Sequence, residues 1–193
     1  PAIVETWAPG MYAGQAVAEI LYGKVNPSAK LAITIPRSVG QLQMIYNHKP
    51  SQYFHPYAVK PSTPLWPFGY GLSYTTYKYD DLKLSAKEVS QKQNVEVSVK
   101  VTNTGQRDGV EIVQLYIRDK YSSVTRPVKE LKDFARVALK AGESKVVTFT
   151  ITPDKLAFYD KKMKWIVEPG EFVVMAGASS ADESLLKETF ILK

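Results

Sequence analysis

Four valines place the strongest constraint on this chain. Val95, Val97, Val99 and Val101 alternate with Glu96, Ser98, Lys100 and Thr102, so one face of the segment is apolar and the other polar. A β-strand puts successive side chains on opposite faces at that period of two. A strand so patterned needs a core on one side and water on the other. Asn103-Thr104-Gly105 then turns the chain, and the sequence predicts further strands over Val110 to Arg118, Val146 to Ile151, Trp165 to Val167, Phe172 to Ala176 and Thr189 to Leu192. Lys140-Ala141-Gly142 and Glu168-Pro169-Gly170 are turns between them, and Lys161-Lys162-Met163-Lys164 reads as a hairpin turn.

Short half-buried strands at this spacing imply a mainly β fold over residues 77–193, an antiparallel sandwich of immunoglobulin-like or fibronectin type III-like kind. The absence of a cysteine pair favours the latter. The stretch Pro64-Leu65-Trp66-Pro67-Phe68-Gly69-Tyr70-Gly71-Leu72-Ser73-Tyr74-Thr75-Thr76-Tyr77 leads into the sandwich. Its prolines and glycines forbid a regular helix, and its rings demand burial, so a fixed, ring-packed junction is expected.

Upstream of that junction the period is different. Residues 2–4 are a short apolar run that reads as a buried strand, and Trp7-Ala8-Pro9-Gly10 turns into a helix over Met11 to Tyr22. Ala13, Ala16, Val17, Ile20 and Leu21 recur at helical spacing, with Gly23 placed for a left-handed cap. After the Asn26-Pro27-Ser28-Ala29-Lys30 turn, Leu31 to Ile35 reads as a strand stopped by Pro36. One strand–helix unit has no parallel neighbour and no sheet to cover. Residues 1–36 are therefore expected to be the end of a partial α/β domain, poorly covered in a monomer or covered by a partner. Residues 37–76 form a connector, with prolines at 50, 56, 61, 64 and 67 enforcing extended geometry and Tyr46, Tyr53, Phe54, Tyr57 and Trp66 supplying rings to bury.

Composition removes several classes of function. The absence of cysteine excludes disulfides, thiolate nucleophiles and cysteine-based zinc sites. His48 and His55 lie in a proline-rich stretch without supporting carboxylates, so no metal site is expected. The formal charge of +6 comes from 25 basic and 19 acidic side chains, but these are interleaved, as in Lys129-Glu130-Leu131-Lys132-Asp133. A solvated basic surface is the reading, and nucleic acid is not an expected partner. Neither is a membrane, because no apolar run approaches the ~20 residues a span requires. The opening residues lack the basic start of a signal peptide, and the chain is expected to be soluble.

Several motifs together resemble the C-terminal part of glycoside hydrolase family 3, the β-glucosidase and β-xylosidase family. Trp7-Ala8-Pro9-Gly10, Gly14 and Ala16-Val17-Ala18-Glu19-Ile20-Leu21-Tyr22-Gly23 are similar to the end of its α/β sandwich domain, as are Asn26-Pro27-Ser28, Lys30-Leu31 and Thr34-Ile35-Pro36-Arg37-Ser38. Tyr46-Asn47-His48-Lys49-Pro50 and the 64–77 stretch are similar to its connector. Val101-Thr102-Asn103-Thr104-Gly105, Gly109, Arg126-Pro127-Val128-Lys129-Glu130-Leu131 and Val167-Glu168-Pro169-Gly170 are similar to its fibronectin-like domain. The chain departs from the family at Tyr12-Ala13, where Glu-Gly is frequent, at Ala29, where glycine is frequent, and between Ser51 and Thr63.

The resemblance implies a retaining glycosidase with two carboxyl groups about 5–5.5 Å apart, a nucleophilic Asp in an N-terminal barrel and an acid/base Glu earlier in the second domain, both upstream of Pro1. Glu5, Glu19, Asp80, Asp81, Asp119, Asp154 and Asp160 read as solvated or capping groups. No catalytic, cofactor-binding or metal-binding residue is expected here, and no cofactor; the chain alone is expected to be inactive. Its expected role is structural, bracing the upstream catalytic domains of the parent enzyme, for which a periplasmic or secreted setting is expected ahead of a cytoplasmic one. A β-linked oligosaccharide and a second copy of the chain are the other partners this reading allows. For the sugar, Trp66, Phe68, Tyr70, Tyr74 and Trp165 are the candidate stacking rings, with packing at the junction and in the core the favoured alternative.

Overall fold

The computed structural model describes residues 2–41, 43–50 and 61–193. Tyr53, Phe54, His55, Pro56 and Tyr57 of the connector lie outside the described residues. Among the described residues ten strands follow in chain order: β1 Tyr77–Leu84, β2 Glu88–Val89, β3 Val95–Asn103, β4 Gly109–Asp119, β5 Glu130–Leu139, β6 Ser144–Ile151, β7 Phe158–Tyr159, β8 Trp165–Ile166, β9 Gly170–Gly177 and β10 Leu185–Leu192. Helix α1 spans Ala13–Leu21 behind a single 3-10 turn, Gly10–Tyr12, and the one-turn α2 spans Pro153–Leu156.

Two sheets face each other. One has the order β1-β3-β6 and the other β2-β10-β9-β4-β5, while β7 and β8 form a separate hairpin. All pairings are antiparallel except the short β10–β2 pair. The inward faces do what the alternation demands: Val95, Val97, Val99 and Val101 are buried against Val113, Leu115, Ile117 and Val174. Phe172 and Phe190 stack with ring centroids 5.4 Å apart.

Strand β5 was not anticipated. Its inward set, Ala135, Val137 and Leu139, does alternate, but Lys132-Asp133 and an exposed Phe134 blur the pattern. An edge strand needs only one apolar face and tolerates charge on the other, which weakens its signal.

The strands expected over residues 2–4 and 31–35 are absent. The first is irregular, and of the second there remains a single antiparallel bridge between Ile35 and Trp66. Among the described residues neither has a sheet to join. The helix is shorter than its pattern, and Gly23, at φ +71°, donates to the Ile20 carbonyl at 2.9 Å and closes it. No residue of α1 is buried, and Met11 and Tyr22 are 90% and 91% exposed; the poor coverage expected of residues 1–36 is seen at the helix, whereas residues 26–28, 30–31 and 34–36 are half-buried. Among the described residues no helix is long and apolar enough to cross a membrane.

Candidate functional site

Strand β4 shows where the connector lies. Its residues from Val113 to Ile117 are buried without a break, which a strand with one wet face cannot achieve. Gln114 and Tyr116 point away from the sandwich core, and the connector covers them. Tyr116, Met175 and Leu185 form a second apolar cluster with Tyr46, Phe68, Leu131 and Val173. Phe68 stacks on Tyr46 at 4.2 Å and 19°, and Tyr46 meets Tyr116 edge-on at 5.9 Å. The Tyr116 hydroxyl donates to Gln114 Oε1, while Gln114 Nε2 donates to the carbonyls of Gly69 (3.1 Å) and Ala178 (2.7 Å). Burial pushes the Tyr116 phenol well above its ordinary pKa, so it stays a hydrogen-bond donor.

Polar anchors complete the attachment. Lys30 Nζ lies 3.1 Å from the Glu111 carboxylate, which also accepts from the Tyr79 hydroxyl at 2.8 Å. Asn26 donates to the Asp108 carbonyl at 2.9 Å and accepts from Ser73 Oγ and the Tyr74 amide, each at 2.8 Å. The end of the 1–36 segment runs against the connector through Leu31 N to Tyr70 O, Gly69 N to Leu31 O and Ile35 N to Trp66 O. Farther along, His48 O accepts from Val128 N at 3.0 Å, and buried Gln41 bonds the Arg37 amide and the Pro61 carbonyl.

The candidate rings therefore separate. Phe68 is half-buried in the stack; Trp66 and Tyr70 are half-buried and joined through their backbones. Tyr74 is exposed, but its hydroxyl donates to Ile20 O at 2.6 Å and the Arg107 guanidinium lies 5.8 Å from its ring centre. Trp165 belongs to none of this and stands on the β7–β8 hairpin. Sequence reading missed Glu111, Gln114 and Gln41; Glu111 and Gln114 sit inside an apolar strand, where a lone polar residue is the available signal.

A groove of about 720 Å³ separates the connector from the sandwich, with Leu65 and Tyr46 on one wall and Arg118, Lys129 and Asp182 on the other. Its Lys129 and Asp182 are already paired. Lys129 Nζ donates to Ser180 O at 2.8 Å and lies 3.1 Å from Asp182. Burial pushes the Asp182 carboxyl up, but the Lys187 and Lys129 ammoniums outweigh it and hold the group below its usual range. Of the carboxylates expected to be solvated or capping, Glu5 accepts from Trp7 N, Glu19 pairs with Lys24, Asp80 with Lys78, and Asp160 accepts two turn amides, whereas Asp119 is half-buried and burial pushes its carboxyl up. Among the described residues no three His, Asp or Glu side chains converge as a metal cluster.

Comparison with known proteins follows the same division. The family profile described as "Glycosyl hydrolase family 3 C-terminal domain" matches residues 1–74, and "Fibronectin type III-like domain" matches residues 111–180. The chain is 45% identical to the periplasmic beta-glucosidase of Salmonella typhimurium over 93% of its own length and 25% of that protein. It is 44% identical to a beta-xylosidase of Formosa agariphila over all of its own length and 27% of that one. The crystal structure of the Listeria innocua beta-glucosidase in complex with glucose superposes with a TM-score of 0.89 at 36% identity, over 97% of this chain and 27% of that one. The chain thus spans about a quarter of the length of the curated relatives it matches. With one profile on the helix and connector, the other on the sandwich, and relatives aligned across both, the chain belongs to glycoside hydrolase family 3, as its C-terminal region.

Proposed function

We propose that this chain is the C-terminal part of a retaining β-glycosidase that removes terminal β-linked glucosyl or xylosyl residues, and that within it these residues brace the catalytic domains. The observation that carries the reading is a contrast within residues 2–77. Helix α1 has no buried residue, whereas the segment after it is clamped to the sandwich through Asn26, Lys30 and Phe68. The Asn26, Lys30 and Phe68 contacts hold one end of the segment on the sandwich; the other end presents an apolar helix that catalytic domains would cover. A retaining glycosidase needs paired carboxyl groups about 5–5.5 Å apart. Glu111, the buried carboxylate among the described residues, is already committed to Lys30 and Tyr79, so the catalytic pair belongs to other parts of the enzyme. The relative from Salmonella typhimurium is a periplasmic beta-glucosidase, which supports a periplasmic setting.

The test is hydrolysis of aryl β-glucoside and aryl β-xyloside by the chain alone and by the longer protein that contains it. We expect no turnover by the chain and turnover of at least one substrate by the longer protein. Turnover by the 193-residue chain, or its absence from a folded longer protein, overturns the reading.

A further inference from the structure

The β7–β8 hairpin displays two aromatic rings that no packing requirement explains. Tyr159 and Trp165 pair across it and are 56% and 52% exposed, with ring centroids 4.8 Å apart and planes tilted at 57°. Their chain neighbours point inward: Phe158 is buried under the Arg126 guanidinium and Ile166 is partly buried. The period of two thus anchors one side of the hairpin and leaves both rings on the other.

The display is rigid. Asp160 Oδ1 accepts from the amides of Lys162 and Lys164, Asp160 N donates to Lys164 O, and Met163 N donates to Asp160 O. At the edge of the rings, Trp165 Nε1 donates to Asp154 Oδ1 at 3.0 Å, which holds the indole and sets a carboxylate beside it. A carboxylate accepts several hydrogen bonds, so Asp154 can also receive a hydroxyl.

We propose that Tyr159, Trp165 and Asp154 form a binding site for a β-linked glucan or xylan chain, separate from any hydrolytic site. Such sugars carry equatorial substituents, so each ring offers a flat C–H face to an aromatic and hydroxyls at its rim. The tilted ring pair accepts such faces and Asp154 accepts a rim hydroxyl. A protein partner fits less well, because Lys161, Lys162 and Lys164 lie exposed in the turn that joins the two ring-bearing strands and lysine is depleted at the centres of protein interfaces. A nucleic acid fits less well because the Asp154 carboxylate lies at the stacking ring and repels phosphate. The choice of sugar rests on the proposed function, but the test is binding, which is read independently of hydrolysis.

The experiment titrates the chain with cellohexaose and xylohexaose and follows the indole N–H resonances by NMR. The Trp165 resonance should shift with saturation in the millimolar range, and Trp165→Ala and Tyr159→Ala should each weaken binding at least tenfold. Asp154→Asn should weaken it less, because the amide oxygen still accepts. Both rings are exposed, so the variants should unfold at the wild-type temperature; a variant that does not is replaced by Trp165→Phe, which keeps the ring and should keep part of the binding. A Trp165 resonance unmoved by either sugar overturns the proposal, as does binding unaffected by the substitutions. Self-association abolished by Trp165→Ala, or saturation by a single-stranded oligonucleotide in place of the sugars, also overturns it.

Discussion

The Lys30 ammonium sits 3.1 Å from the Glu111 carboxylate with only 12% and 2% of the two side chains exposed, joining the segment behind α1 to the middle of the sandwich. A buried pair costs desolvation that its attraction barely offsets, but removing one member leaves a lone buried charge. Lys30→Met and Glu111→Leu are each expected to destabilise the chain by about 3 kcal/mol. The double variant should recover much of that loss, read as a coupling energy in denaturant unfolding. Additive losses would mean that the pair contributes nothing as a pair.

Gly69 is held at φ +78°, and a Cβ there would collide with the Gln114 carboxamide. Gly69→Ala therefore carries both backbone strain and the displacement of a side chain that bonds two carbonyls. The expected cost is about 2–3 kcal/mol, measured as a shift of the denaturation midpoint with an unchanged slope. An unaltered midpoint would show that the turn can be rebuilt.

Phe68 closes the stack over Tyr46 and Tyr116. Because it is half-buried, Phe68→Ala should cost about 3 kcal/mol, the low end for emptying an aromatic site, and should reduce the near-ultraviolet circular dichroism of the packed tyrosines. Trp66→Ala should cost less, since the bonds that place Trp66 run through its backbone. The reverse order would move the junction's anchor to Trp66.

His48 lies at the edge of the groove, and burial lowers the pKa of its imidazole, with smaller opposing effects from the Lys49 carbonyl and Asp182. A depressed folded pKa favours the neutral form, so its contribution is present above the unfolded value of about 6.5 and is lost as pH falls through the folded pKa. The melting temperature should therefore fall between about pH 7 and pH 5, and His48→Gln should flatten that part of the profile. An identical slope in the variant would assign the effect to another group.

How much could be read in advance differs sharply along the chain. The valines of β3 announced their strand and their buried face without any partner in view, because alternation is a local property. The hairpin turn at residues 161–164 was legible for the same reason. Strand β5 was not, since an edge strand carries half the apolar signal of a central one. Leu31 to Ile35 was misread because an apolar run states that residues want burial but not whether a sheet is there to receive them.

By itself, the sequence determined most of the sandwich strands, the helix with its Gly23 cap, the aromatic junction and, through its motifs, the family. Tertiary structure alone decided what the junction rests on. The outer face of β4 is buried because residues 46 and 68 cross it, and Glu111 is satisfied by a lysine 81 positions away. Neither relation has a period or a local motif. Burial and hydrogen bonding between distant segments depend on which surfaces meet, and that is a property of the folded chain.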